Sequence, residues 1–342
     1  MKRIHALDGL RAISILLVSI SHYVPMVVGG RIADAVKPLG APGVKVFFVI
    51  SGYLITTLLL KELDRSGTIS LAAFYRRRFL RITPAYLLFL LVVAIVAGLG
   101  LTRVGADVWP YLLTYTFNLK AGLDQSTVGL VWSLCVEEHF YLLWPATLLL
   151  AGRKSAQRIL VGVIAVAAAL RFLQPSAFPG IDIDFFTPTQ LDTIAVGCLL
   201  AFVDGKEERF RGWRWAALGG TVFFLSIYVF SRSGKYVLGP SHLVEAVAVA
   251  LVTHALIHRP DDPFTRFLDL APMQLVGRLS YSLYLAQPAL DAFHNVDMPL
   301  ALRPVLLVAY AAFSYNLIEK PFLVLKDRLE RRAPRPVPTA VP

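Results

Sequence analysis

Residues 7–23 read LDGLRAISILLVSISHY, and this stretch decides the fold. It is an apolar run long enough to enter a bilayer, yet it carries Asp8, Arg11 and His22. On a helix the step from Arg11 to His22 is almost a whole number of turns. Both then face the same way, about 16 Å apart along the axis. Asp8, three residues before Arg11, joins that face. An ionisable group within a membrane span is costly, and by default it marks a site.

The rest of the chain agrees with a membrane reading. Of 342 residues, 56% are hydrophobic and 17% charged, and the mean hydropathy is +0.61. A soluble enzyme of this size needs polar helix faces that the long apolar blocks lack, and a transmembrane barrel needs alternating ten-residue segments. The expected class is all-α, a polytopic transmembrane helical bundle, because a helix satisfies its own backbone hydrogen bonds in lipid. By the length rule about ten spans can be drawn, near 7–28, 43–61, 79–101, 130–151, 157–174, 188–204, 213–231, 237–258, 273–292 and 301–322. The first reads as a retained span and not a signal peptide, since charges lie within it. Residues 1–325 then form one transmembrane domain, and the basic, Pro-rich stretch 326–342 is expected to be a disordered cytoplasmic tail.

The net charge of +11 invites a nucleic-acid reading, but topology accounts for it. With the N-terminus in the cytoplasm, about 23 basic residues fall in cytoplasmic segments against about seven outside, alternating through every loop. Both termini are then cytoplasmic, the expected location is the inner (plasma) membrane, and membrane lipids rather than nucleic acid are the partners. The two cysteines, Cys135 and Cys198, lie in apolar segments and support no disulfide framework.

His22 reads either as a histidine satisfied by a neighbouring helix or as a general base in a dry cavity. Arg11 reads either as the partner of Asp8 or as a group holding an anionic ligand. In VFFVISGYLI (46–55), Ser51 and Gly52 allow close approach of another backbone, so packing is preferred over a nucleophilic Ser51. FYRRRFLRITPAY (74–86) places Arg76, Arg77, Arg78 and Arg81 in a loop at the mouth of the third span. They are a positive-inside anchor or a clamp for a polyphosphate, with Arg78 and Arg81 as the pair on one face. WSLCVEEHFYLLWP (132–145) brings Glu137 and Glu138 into an apolar run, as interfacial groups or as a carboxylate that orients a base. Asp192, Tyr281, Tyr284, Asn316 and Glu319 are further polar groups in apolar helices. Together they indicate a wet or ligand-filled interior. His254 and His258 have metal-like spacing but no third ligand nearby in sequence, so no metal is expected. The external stretch 173–189 suits an ordered loop over a cavity.

These segments together resemble the integral-membrane acyltransferase-3 family, whose members O-acylate bacterial glycans, lipid-linked sugars or natural products. The marks are LDGLRAI with His22, FFVISGYLI, the RRFLR arginine pair, WSLCVEEHFY, LDTIAVG, GRLSYSLYL and SYNLIEKPF, in the family's order and over essentially the whole chain. The resemblance implies an acyl-CoA-dependent O-acyltransferase, with no tightly bound cofactor and acyl-CoA, in the first instance acetyl-CoA, as donor substrate. It implies that His22 is the base, that Arg11 is essential and that Arg78 and Arg81, with Arg76 and Arg77 beside them, engage the donor phosphates. It matches Glu137 rather than Glu138 to the family's carboxylate. Asp8, Ser51, Asp192, Tyr284, Asn316 and Glu319 are supporting residues. The acceptor is a saccharide, a lipid-linked glycan or a natural product. Two positions depart from the pattern: Lys45 stands where an acidic residue often precedes FFV, and Gln287 stands where many members have a histidine. The expected chain either acts alone or hands its acyl group to a separate extracytoplasmic transferase. The competing class is a transporter or flippase of an anionic glycan. It predicts broken helices repeated in the two halves, which the sequence does not display.

Overall fold

The computed structural model describes residues 5–120, 128–173, 180–203, 213–232, 240–258, 262–291, 299 and 302–332. Among these the regular structure is helical throughout. In chain order the helices are α1 (His5–Val27), α2 (Arg31–Val36), α3 (Gly40–Ser66), α4 (Leu71–Gly98), α5 (Trp109–Leu113), α6 (Val131–Phe172) and α7 (Thr187–Val203). Then follow α8 (Trp213–Arg232), α9 (Pro240–His258), α10 (Pro263–Leu268), α11 (Ala271–Asp291), α12 (Leu302–Phe313) and α13 (Lys320–Arg332).

Five helical stretches of the described residues are long and apolar enough to cross a membrane: His5–Pro25, Arg31–Ser66, Leu71–Gly98, Val131–Phe172 and Ser241–His258. Thr187–Val203 and Ala217–Ser226 are apolar but shorter. The chain is therefore a helical membrane protein. Of the further spans drawn from sequence, one falls on α11, which carries the polar Gln274, Arg278 and Gln287, and one on α12, whose 12 residues run on through a π-helical turn into α13.

Local signals place several boundaries differently from the sequence reading. The four arginines lie on α4 and not in a loop. The helix starts at Leu71, where the Ser70 hydroxyl accepts a hydrogen bond from the Ala73 amide at 3.4 Å, which satisfies one of the unpaired first-turn N–H groups. The runs 130–151 and 157–174 are continuous except at Gly152, which takes φ 69° and ψ 169° and kinks α6; glycine adopts this conformation without steric cost. At the C-terminal end, residues 326–332 continue α13 rather than starting a disordered tail, while 333–342 fall outside the described residues. A π-helical turn, Ser314–Glu319, joins α12 to α13. Such wide turns are rare and recur at functional sites.

The chain divides into two compact units. Unit one comprises Met1–Thr57 and Lys154–Ser280, and unit two comprises Leu58–Arg153 and Tyr281–Pro342.

Unit one is cored by Leu7, Leu10, Val46, Val49, Ile50, Tyr53, Val196, Leu200 and Val249, among other apolar side chains. Its helices approach closely where side chains are missing. A Cβ on Gly52 would collide with the Ile194 carbonyl, one on Gly197 with the Val49 carbonyl, and one on Gly277 with the Asp8 carbonyl. Gly52 therefore serves helix packing, with α3 and α7 in backbone contact.

Unit two is built around α4, whose buried face carries Phe74, Ile82, Ala85, Tyr86, Phe89, Leu90, Val93 and Val96. That near-helical repeat continues the row on which Arg78 lies. Tyr86 donates from its hydroxyl to the Leu112 carbonyl at 2.8 Å and so ties α4 to α5.

Candidate functional site

In unit one, α1 holds the first three predicted residues. The Arg11 guanidinium is 3.7 Å from the Asp8 carboxylate, one helical turn away. Asp8 is buried, so the partner reading of Arg11 has a geometric basis. His22 is half-buried near the other end of the same helix. Its neighbour Ser21 donates to the Val18 carbonyl at 2.8 Å and packs against Gly40.

Deeper in unit one lies a network that the sequence reading largely missed. Arg171 reaches Asp192 through two hydrogen bonds of 2.7 Å, with Nη1 on Oδ2 and Nη2 on Oδ1. Its Nη2 also donates to the Thr189 carbonyl, and Asp192 Oδ1 accepts from the Thr193 amide at 2.7 Å. Beside it, Lys45 Nζ meets Glu245 Oε2 at 2.5 Å, and the Ser226 hydroxyl donates to Glu245 Oε1 at 3.3 Å. All four charged residues are buried, as is His242, which lies in the field of Lys45 and Arg171. Of these, only Asp192 was singled out from sequence, and Lys45 drew notice only as a departure. The available signal was a charge inside an apolar run: Lys45 within GVKVFF, Glu245 within LVEAVAV and Arg171 within AALRF.

In unit two the four arginines separate by helix face. Arg76 and Arg81 are exposed. Arg77 donates from Nη2 to Glu62 Oε2 at 3.3 Å and is half-buried. Arg78 turns inward, its guanidinium 5.6 Å from the Phe74 ring centroid and 5.2 Å from that of Tyr141, within cation–π range of both.

The two glutamates of α6 also diverge, as adjacent positions on a helix must. Glu137 accepts from the Tyr141 hydroxyl at 3.2 Å. Glu138 Oε1 is buried and has no hydrogen-bond partner among the described residues. Arg78 and Glu137 are the charged groups whose fields reach it. The hydroxyls of Tyr86, Tyr115 and Tyr281 lie within reach of its charge. Tyr115 stacks on Tyr86 at 4.4 Å and holds φ 56°, a left-handed conformation that costs free energy in a bulky residue and persists only where surroundings enforce it.

Among the supporting residues, Tyr284 is buried and donates to the Leu130 carbonyl at 2.9 Å, with the Ser133 hydroxyl 2.6 Å away. Glu319 accepts from the Ser282 hydroxyl and lies in the field of Arg81. Asn316 is exposed, and its amide donates to the Ala312 carbonyl at 2.8 Å, within its own helical segment. Tyr281 donates to the Ile82 carbonyl at 3.0 Å. The His254 and His258 rings are 4.6 Å apart on α9. The predicted external loop lies partly outside the described residues; within the described part, the Gln190 amide donates to the Asp184 carbonyl at 2.7 Å and orders the approach to α7.

Comparison with known proteins gives a consistent result. The family model described as an acyltransferase domain matches residues 4–317. A Staphylococcus aureus (strain COL) protein with a provisional O-acetyltransferase name is 29% identical over 358 residues, covering 94% of this chain and 58% of its own length. The O-acetyltransferase OatA of Staphylococcus aureus (strain NCTC 8325 / PS 47) is 26% identical over 349 residues, covering 92% of this chain and 56% of its own. The chain thus spans somewhat more than half the length of these relatives. No solved structure matches it.

Proposed function

The chain belongs to the acyltransferase domain family matched over residues 4–317, and from that premise we propose that it is a membrane-bound O-acetyltransferase. The observation that carries the reading is the match to O-acetyltransferases over more than nine-tenths of the chain. The proposed donor is cytoplasmic acetyl-CoA, and the proposed acceptor is a hydroxyl of a saccharide or glycan. In the proposed topology both termini are cytoplasmic, in the bacterial inner membrane.

His22 is the proposed general base. It takes the proton of the acceptor hydroxyl as that oxygen attacks the thioester carbonyl; the C–S bond then breaks, and the proton passes to the departing thiolate. A half-buried imidazole on the polar face of α1 supports this role. Arg11 stands on the same face, about eleven residues and 16 Å away by helix geometry. Unit two carries the donor-binding groups. Arg76 and Arg81 are exposed on α4, so their guanidiniums are available to phosphate oxygens. Arg77 is engaged by Glu62 and steadies the start of the helix, and Arg78, turned inward on the same helix, is a further donor-binding group.

The test is acetyl transfer by purified protein in lipid, read as release of free CoA thiol with a saccharide acceptor present. Thiol release that depends on both protein and acceptor is expected. No release, together with no effect of acetyl-CoA on the thermal unfolding midpoint, overturns the assignment.

A further inference from the structure

Among the buried polar groups of unit two that the reaction scheme leaves unused is the Oε1 atom of Glu138. It has no hydrogen-bond partner among the described residues, although a buried carboxylate oxygen in a completed structure nearly always has one. Its surroundings are specific. A guanidinium, Arg78, lies in its field, and that guanidinium is held between the rings of Phe74 and Tyr141. The stacked Tyr86 and Tyr115 lie within reach of the charge of the same carboxylate, and Tyr115 holds φ 56°. Tyr281, whose hydroxyl donates to the Ile82 carbonyl of α4, is a third tyrosine within reach of that charge.

This arrangement offers one strong acceptor, one cationic donor and aromatic walls. A secondary amide presents the complement: an N–H to donate, a carbonyl to accept and flat apolar flanks. The donor of the proposed reaction carries two such amides, in the pantetheine arm between its phosphates and its thioester. The exposed Arg76 and Arg81 and the inward Arg78 share α4, so a donor with its phosphates on the first two can present the arm to the third.

We infer that Glu138 and Arg78 are an amide-binding pair for the pantetheine arm of the acyl donor, with Glu138 Oε1 accepting an amide N–H and Arg78 donating to an amide carbonyl. The inference rests on the acyl-CoA reading. It assigns Glu138 to donor binding, whereas the resemblance to the family points to Glu137 as its carboxylate.

The test uses the full chain in detergent or lipid, with affinities read by ligand-induced thermal stabilisation or calorimetry. Three probes separate the parts of the donor: acetyl-CoA, S-acetylpantetheine (arm without nucleotide) and adenosine 3′,5′-bisphosphate (nucleotide without arm). Glu138→Gln is expected to weaken acetyl-CoA and S-acetylpantetheine by the same factor, about tenfold or more for a lost charge-assisted hydrogen bond. Binding of the bisphosphate is expected to stay at the wild-type value. Because Glu138→Gln can also disturb folding, the ligand is altered as well. Against wild-type protein, N-methylation of one of the two pantetheine amides is expected to cost a similar factor, and that cost is expected to vanish in any folded Glu138 variant. Undiminished S-acetylpantetheine affinity in Glu138→Gln, or wild-type affinity for both N-methyl ligands, overturns the inference. Should wild-type protein bind neither acetyl-CoA nor the bisphosphate, the acyl-CoA reading itself falls, and that outcome is distinct from the first two.

Discussion

Lys45 and Glu245 are two hundred positions apart in the chain and 2.5 Å apart in space, both buried. Here the cation has a carboxylate mate on α9. Two charges taken out of solvent are tolerated when each satisfies the other and the remaining lone pairs are hydrogen-bonded; Ser226 does the latter for Glu245.

Breaking this pair from one side leaves a buried, uncompensated charge. Lys45→Met is expected to destabilise the protein by about 3–5 kcal/mol, and Glu245→Leu by a similar amount. The double variant should recover most of the loss, since replacing both charges by apolar groups is often neutral. Chemical or thermal unfolding in detergent reads this cycle, and additive losses in the double variant would mean that the pair does not act as a unit.

Arg171 should not tolerate lysine. Its guanidinium makes two parallel contacts with Asp192 and a third with the Thr189 carbonyl, a fork that an ammonium cannot reproduce. Arg171→Lys is expected to lower stability by about 1–3 kcal/mol even though the charge is kept. An unfolding midpoint equal to wild type would contradict the importance of the fork.

His22→Ala should abolish acetyl transfer while leaving membrane insertion, expression and donor affinity close to wild type. His22 is half-buried and, among the described residues, makes no interhelical ion pair comparable to Arg171–Asp192. Initial rates of thiol release check the activity, and size-exclusion behaviour checks the fold. Wild-type rates in the variant would remove His22 from the chemistry.

The α4 arginines should separate in a donor-binding assay. Arg81→Ala is expected to weaken adenosine 3′,5′-bisphosphate by about tenfold or more, the scale of a charge-assisted phosphate contact. Arg77→Ala is expected to leave that affinity near wild type and to lower stability by less than about 1 kcal/mol, because its partly exposed pair with Glu62 is worth little. Equal effects of the two changes would argue against sorting the arginines by helix face.

Gly197 should reject any side chain. Even the Cβ of alanine would collide with the Val49 carbonyl, and the backbones of α3 and α7 would have to part. Gly197→Ala is expected to cost about 1–3 kcal/mol as an overpacked core position. Measured stability equal to wild type would show that the α3–α7 contact relaxes freely.

Much of the architecture was legible before any coordinates. Apolar length and backbone self-satisfaction specify membrane helices, and the Asp8–Arg11 pair is a local pattern that a helix displays directly. The boundaries were less legible. The four arginines looked like loop residues because charge suggests loop, whereas the Ser70 cap draws them into α4. The π-helical turn before Lys320 left no periodic mark. At the site, the sequence could place Glu137 and Glu138 on different faces but could not say which oxygen would be left unsatisfied. That depends on where Tyr141 and Arg78 fall, on the same helix and on another.

The chain by itself determined the helical membrane class and the polar face of α1 from Asp8 to His22. Helix period and lipid exclusion act over a few residues, and linear spacing encodes both. Only the tertiary structure decided that Lys45 answers Glu245, that Arg171 answers Asp192 and that Glu138 Oε1, in the field of Arg78, has no hydrogen-bond partner among the described residues. Those relationships join residues far apart in sequence, and their energetics exist only once packing has removed water and brought the partners within hydrogen-bond reach.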